Sequence, residues 1–339
     1  MRIMQTTFFD PIKLETAEFL DRGLDLMVQN HYAEALVQFE NVLRLNPNDR
    51  YALWNRSVIL LSMGDYVNGM PDSTWTWVYD WHALSLGEKN LDRFLTLPVW
   101  HGEPCRLLAY NETGFGDAIM LLRFLPELAK RNKNVTMVVR PELAKLMRGY
   151  GAKVLDHVPG DMTEFDARIT FYSLLSVLGH TIETIPNNPY IFPDFWVTET
   201  GKCSVGIAWS GNSRRELTLD SFLSKFDCVG IDLYALQLAD MEESTGRIER
   251  LIHPLPSKDF VDTVNLIARM DHIVTVDTAA AHLAGAMGHP SVHLLLPFMR
   301  DWRWWNKDVW YPTINIYPQD NPDDWDAPFE RVNAAIRGD

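Results

Sequence analysis

The stretch Ile273–Pro290, IVTVDTAAAHLAGAMGHP, is the part of the chain best suited to chemistry. A β-branched run ends at Asp277 and Thr278, an Ala-rich run of helical periodicity follows to Gly288, and a second apolar run spans Ser291–Leu296. That pattern predicts strand, tight turn, helix and strand, the unit of a parallel α/β sheet. The backbone N–H groups of Thr278, Ala279 and Ala280 then lie at the positive end of a helix, which suits a phosphate or diphosphate. His282 follows Thr278 by four positions and shares its helical face. The alternative is an ordinary βαβ unit, with Asp277 or Thr278 as helix cap and His282 as a satisfied polar residue.

Three further groups sit after predicted strands. In Asn111–Asp117 (NETGFGD), Gly114 and Gly116 permit turns that a side chain would hinder, and Asp117 stands at a helix start. A carboxylate there takes a proton from an attacking hydroxyl if it faces a cleft, and otherwise caps its helix. Glu112 is the second candidate base of this loop. Trp209–Arg215 (WSGNSRR) offers Ser210, Asn212, Arg214 and Arg215 as an anion cradle, or else a solvated polar loop. Asp301–Trp305 (DWRWW) offers Arg303 to a phosphate and an indole to a base or sugar, or else a Trp-rich core between domains. The carboxylates of Asp323–Asp326 read as a solvated loop. No GxxxxGK[ST], GxSxG or HExxH motif occurs, and NETGFGD is not a GxGxxG fingerprint, so neither a nicotinamide cofactor nor a zinc site is expected.

The elements that would hold these groups follow from periodicity. Residues 14–61 read as helices, with Phe19, Gly23, Leu26, Tyr32, Ala35, Phe39, Val42 and Pro47 at the spacings of a tetratricopeptide repeat and a looser copy from Tyr51. This short array is expected to pack on the next domain through Trp75–Trp81. Strands are predicted at 106–110, 135–140, near 154 and at 167–170, with helices over 118–131 and 141–149. Beyond the Pro-rich stretch 186–193, strands are predicted at 204–209, 231–237, 273–277 and 291–296, with helices near 219–226 and over 260–270. A closing helix near 328–336 is expected to cross back to the first half. The predicted organisation is a helical region over 1–97, two Rossmann-like domains over 105–192 and 203–320, and a tail over 321–339.

The composition narrows the partners. The chain has 339 residues and a formal net charge of −14, from 31 basic and 45 acidic side chains. An acidic surface disfavours broad nucleic-acid binding. Three scattered cysteines indicate no disulfide scaffold. The start lacks the apolar segment of a signal peptide, and no run approaches the ~18 apolar residues of a membrane span, so a cytoplasmic location is expected.

With NETGFGD, VGIAWSGN, the block from Asp259 to Pro290, LLLPFMRDWRWW and the following WYP, the chain resembles tetratricopeptide-linked glycosyltransferases of the heptosyltransferase-like family 9 type. The resemblance also covers Gly64–Asp65–Tyr66, Gly69 and Trp75–Trp77, and so most of the chain. It implies a GT-B fold of two Rossmann-like domains, a nucleotide-diphosphate sugar held mainly by the second, and no essential metal or other cofactor. It also implies that Asp117 is the base, that Asp277, Thr278, Ala279 and His282 bind the donor, and that Ser210 and Asn212 form the phosphate-side loop. After Asn212 the usual insertion is shortened, which leaves Arg214 and Arg215 as alternatives for the phosphate. The expected activity is inverting, metal-independent sugar transfer to an acceptor hydroxyl of a glycan, lipid-linked glycan or protein. The rivals are a catalytically silent nucleotide-sugar-binding or scaffold protein acting through its repeats and Trp-rich surfaces, and a different GT-B-like enzyme such as an epimerase.

Overall fold

The structure, a computed structural model, describes residues 11–70, 93–196, 201–210, 217–227, 229–236, 252–254 and 259–338. Three helices open it: α1 (Pro11–Val28), α2 (Tyr32–Leu45) and α3 (Arg50–Ser62). The α1–α2 hairpin closes where Gly23 meets the Phe39 ring. A Cβ on Gly23 would lie 2.7 Å from that ring, so the glycine sets the approach. Pro47 stops α2, and the Asp49 carboxylate accepts the Tyr51 and Ala52 amides to start α3.

The next stretch builds a four-stranded parallel sheet. Its elements run β1 (Leu107–Tyr110), α4 (Phe115–Leu121), α5 (Leu125–Arg131), β2 (Val135–Val138), α6 (Pro141–Met147), β3 (Lys153–Leu155), β4 (Ala167–Thr170) and α7 (Phe171–Leu178), with strand order β3-β2-β1-β4. The second sheet is six-stranded and parallel, in the order β10-β9-β8-β5-β6-β7. It comprises β5 (Cys203–Ala208), α8 (Leu219–Lys225), β6 (Ile231–Ala235), β7 (Ile252–Pro254), α9 (Phe260–Ile267), β8 (His272–Thr275), α10 (Ala279–Met287), β9 (Val292–Leu296), α11 (Lys307–Trp310), β10 (Ile314–Pro318) and α12 (Asp326–Arg337). Strands β1 and β9 are buried along their whole length, as expected for strands covered on both faces.

Several expectations need correction. The helix predicted over 118–131 is two helices joined by a 3-10 turn at Leu122–Phe124, with Pro126 in the first turn of α5. Helix α7 and strand β10 were not anticipated. The eight-residue FYSLLSVL run of α7 is apolar on most sides, so its helical period is faint. The closing helix α12 does not cross back. Phe329 and Val332 pack with Val205, Ile207 and Phe222 on the second sheet, and the Asn333 amide donates to the Lys225 carbonyl at 2.9 Å. Trp75, Trp77 and Trp81 lie outside the described residues. Among the described residues, the helical region is docked through its own side chains and the segment beyond β9. Trp310 Nε1 donates to the Tyr66 hydroxyl at 2.9 Å, Asn306 donates to the Leu61 and Ser62 carbonyls at the end of α3, and Tyr32 meets Trp305 edge-on. One apolar core therefore runs from Leu61 and Tyr66 through the first sheet to Trp302, Trp304 and Trp310.

Candidate active site

In each sheet the strand order reverses once, between β1 and β4 in the first and between β5 and β8 in the second. Segments leaving a parallel sheet on either side of such a point diverge and open a crevice at the carboxyl edge. The segment after β1 carries Glu112 in its loop and Asp117 in the first turn of α4, and the chain after β4 enters α7 at once. The segment after β8 carries Asp277 and Thr278. These two carboxyl edges face each other.

Asp117 lies in the first turn of α4 and is ion-paired to Arg303, which stands in the 3-10 turn Trp302–Asn306 beyond β9. The same guanidinium donates to the Tyr172 hydroxyl at 2.7 Å and pairs with Asp301 at 2.5 Å. The Tyr172 hydroxyl and the Asp117 carboxylate thus share one guanidinium nitrogen of Arg303. Burial pushes the Asp117 carboxyl up, outweighing the opposite pull of Arg303. Burial draws Arg303 down, but Asp117 and Asp301 outweigh it and hold the guanidinium well above its ordinary value.

Glu112 is buried and turned away from this pair. Its carboxylate accepts the Phe171 and Tyr172 amides, each at 2.8 Å, and so caps α7. Burial raises its pKa to about 7, while the two amides work in the opposite direction. As a candidate base it is committed to two backbone donors, and this leaves Asp117 as the loop's carboxylate at the crevice.

Across the crevice, Thr278 is the N-cap of α10. Its hydroxyl meets Thr275 at 2.9 Å and accepts no helix amide. The first-turn amides of Ala279 and Ala280 thus remain donors without an intrahelical acceptor, by helix geometry. His282 is buried. Its Nδ1 lies 3.0 Å from the Tyr311 hydroxyl, and its Nε2 is 3.9 Å from Asp277, beyond a hydrogen bond. Burial, then Arg303 and Arg123, hold this imidazole well below its ordinary pKa, so it is neutral. The two halves touch here: a Cβ on Gly116 would lie 2.5 Å from His282 Cδ2.

A second arginine fastens the same boundary. Arg123 donates to the carbonyls of Met120, Pro186 and Trp310 and to the Tyr190 hydroxyl, at 2.8 to 3.1 Å. Its guanidinium lies about 5 Å from the centres of the Tyr190, Trp310 and Tyr311 rings. A buried cation answered by carbonyl dipoles and ring faces holds three chain segments together.

The structure thus brings Asp117, Asp277, Thr278, Ala279, His282 and Arg303 to one boundary. Ser210 ends the described segment after β5 on the same carboxyl edge, while Asn212, Arg214 and Arg215 lie outside the described residues. Arg303, expected at a phosphate, is held by Asp117, Asp301 and Tyr172, because β9 delivers it to the first sheet's carboxyl edge. The sequence reading did not single out Tyr172, Arg123, Tyr190 or Tyr311. An arginine inside an apolar helix run, MLLRFL, was the one available signal. Among the described residues, no group of three His, Cys, Asp or Glu comes together as a metal site.

Residues 239–297 match the model of glycosyltransferase family 9 (heptosyltransferase), a span that includes Asp277, Thr278, Ala279 and His282. Protein FlbA of Caulobacter vibrioides is 23% identical over 331 residues, covering 83% of this chain and 54% of FlbA. The chain therefore spans about half the length of the curated relative it matches. Among solved structures, the iron-containing dodecameric glycosyltransferase TibC of enterotoxigenic E. coli aligns over 68% of this chain and 67% of its own, at 13% identity and TM-score 0.49. E. coli heptosyltransferase WaaC with ADP aligns over 68% and 99%, at 14% identity and TM-score 0.44. No helix among the described residues is long and apolar enough to cross a membrane.

Proposed function

We propose that the chain is an inverting glycosyltransferase of GT-B architecture that takes a nucleoside-diphosphate sugar and delivers the sugar to an acceptor hydroxyl. The observation that carries this reading is the pairing of Asp117, from one carboxyl edge, with Arg303, from the other, where Gly116 of α4 touches His282 of the helix that begins at Ala279. Inversion needs a base on the face of the sugar opposite the leaving diphosphate, and fixed positive charge on the diphosphate side. Asp117 is the base. The amides at the start of α10 meet the diphosphate, with Ser210, Asn212 and Arg214 or Arg215 completing the phosphate side. Arg303 lies between the two and answers both charges. His282, neutral and locked to Tyr311, supports the turn from beneath. No step requires a metal. The N-terminal helices are a tetratricopeptide-like array clamped to the catalytic body, and the acceptor is a glycan, lipid-linked glycan or protein.

The test is direct. The purified chain should bind a nucleoside diphosphate, read as a rise in melting temperature, and should hydrolyse or transfer from a matching nucleotide sugar. Asp117→Asn should abolish transfer while keeping that binding. Turnover by Asp117→Asn at the parental rate overturns the base assignment. One observation favours the silent, binding-only alternative: Asp117 is already paired with Arg303. Nucleotide-sugar binding without hydrolysis or transfer under any acceptor tried would select it, and sugar interconversion without acceptor would select an epimerase.

A further inference from the structure

We propose that Tyr172 is a positioning residue for Asp117, its hydroxyl tying that carboxylate to Arg303 across the boundary between the two sheets. The proposal rests on the reading of Asp117 as base. Its geometry does not, because Tyr172 is held at both ends by other residues of the chain. At the backbone, its amide and that of Phe171 donate to Glu112 at 2.8 Å, which fixes the first turn of α7. At the tip, its hydroxyl accepts at 2.7 Å from the same Arg303 nitrogen that pairs with Asp117. The ring between them is buried in the shared core. One segment, 111–117, therefore reaches Tyr172 twice, through Glu112 at the amide and, by way of Arg303, through Asp117 at the hydroxyl.

The arrangement has a chemical consequence. A phenol that accepts from a guanidinium has its one proton left to donate, and Asp117, bound to the same guanidinium nitrogen, is the acceptor placed beside it. Burial holds the phenol well above its ordinary pKa, so that proton stays in place. A hydrogen bond to the ionised carboxylate favours the charged form. It also occupies one lone pair, so that the carboxylate presents a fixed edge to an acceptor hydroxyl. Rigid support from a buried side chain is what holds a reacting group in productive geometry.

The test is Tyr172→Phe in the full chain, which removes one oxygen from a buried ring. Aspartate labelled with 13C at the carboxyl, with the Asp117 signal assigned by its loss in Asp117→Asn, gives the midpoint of Asp117 with no need for activity. The midpoint is expected to rise by roughly 0.5–1 pH unit in Tyr172→Phe, since the bond that favoured ionisation is gone. Where transfer is measurable, kcat should fall roughly tenfold with the donor KM within about twofold, and the acidic limb of the pH profile should move up with the midpoint. Should Tyr172→Phe not fold, Glu112→Gln loosens the grip on the Tyr172 amide and should move the Asp117 midpoint in the same sense by less. A midpoint and acidic limb that stay at parental values overturn the proposal, even if stability drops. Total absence of transfer in the parent would instead defeat the proposed function and leave the titration to judge Tyr172.

Discussion

The contact between Gly116 and His282 makes the strongest demand on the structure. Gly116 lies inside α4, and a Cβ built there would sit 2.5 Å from His282 Cδ2 and 3.0 Å from Nε2. Its backbone is ordinary helix, so the conflict is one of space alone. The imidazole has little room to retreat. Its Nδ1 is held by the Tyr311 hydroxyl at 3.0 Å, and its ring lies 5.1 Å from Trp304. Tyr311 is wedged in turn against α10, where a Cβ on Gly285 would come within 2.5 Å of its ring. Gly116→Ala should therefore behave as overpacking, about 1–3 kcal/mol. The better helix propensity of Ala returns only part of the roughly 1 kcal/mol seen in helix interiors, because Gly116 is the second residue of α4. The expected net loss is about 1–2 kcal/mol by urea unfolding followed by tryptophan fluorescence. In a His282→Ala background the obstacle is gone, and the same substitution should cost nothing or stabilise. Gly160→Ala, where a Cβ meets nothing within 4 Å, is the control and should stay within about 0.5 kcal/mol of the parent. The reasoning is refuted if Gly116→Ala is as stable as the parent, or if its cost is the same with and without His282.

Three other outcomes are expected. Ala279→Leu should block diphosphate approach to the start of α10 while leaving the fold intact, so an unchanged thermal shift with nucleoside diphosphate would reject that site. Burial, reinforced by His272 and His289, lowers the pKa of His293 from 6.5 to about 4, so its neutral form is the one the fold prefers. Its contribution is complete above pH 6.5 and is lost as pH falls through 4, on the order of 3 kcal/mol. A His293→Gln variant should lose less stability than the parent between pH 6.5 and 4, and equal slopes would contradict this. Activity should survive excess EDTA, whereas loss in EDTA that Mn²⁺ restores would sink the metal-free mechanism and return attention to Asp323–Asp326.

Much of the scaffold is written locally. The runs Leu107–Tyr110, Val135–Val138 and His272–Thr275 are strands because β-branched and apolar residues recur between turn-forming ones, and such patterns depend only on near neighbours. The start of α10 and its stop at Gly288, a left-handed residue with φ of 67°, are legible for the same reason. So is the position of Asp117 in the first turn after a strand. What short-range pattern cannot carry is which side chain a group meets. Asp117 finds Arg303 at a separation of 186 residues, and Glu112 finds the amides of residues 59 and 60 positions away. The strand orders decide both, by setting which loops share a carboxyl edge and which edges face each other. Those orders are fixed by many weak apolar contacts summed over the whole core, from Leu61 to Ile314. The sequence by itself determined the loops and the residue types they offer. Only the tertiary structure decided that Glu112 caps a helix, that Arg303 answers Asp117, and that the tryptophans beyond β9 clamp the N-terminal helices, because each depends on contacts made between distant segments of the chain.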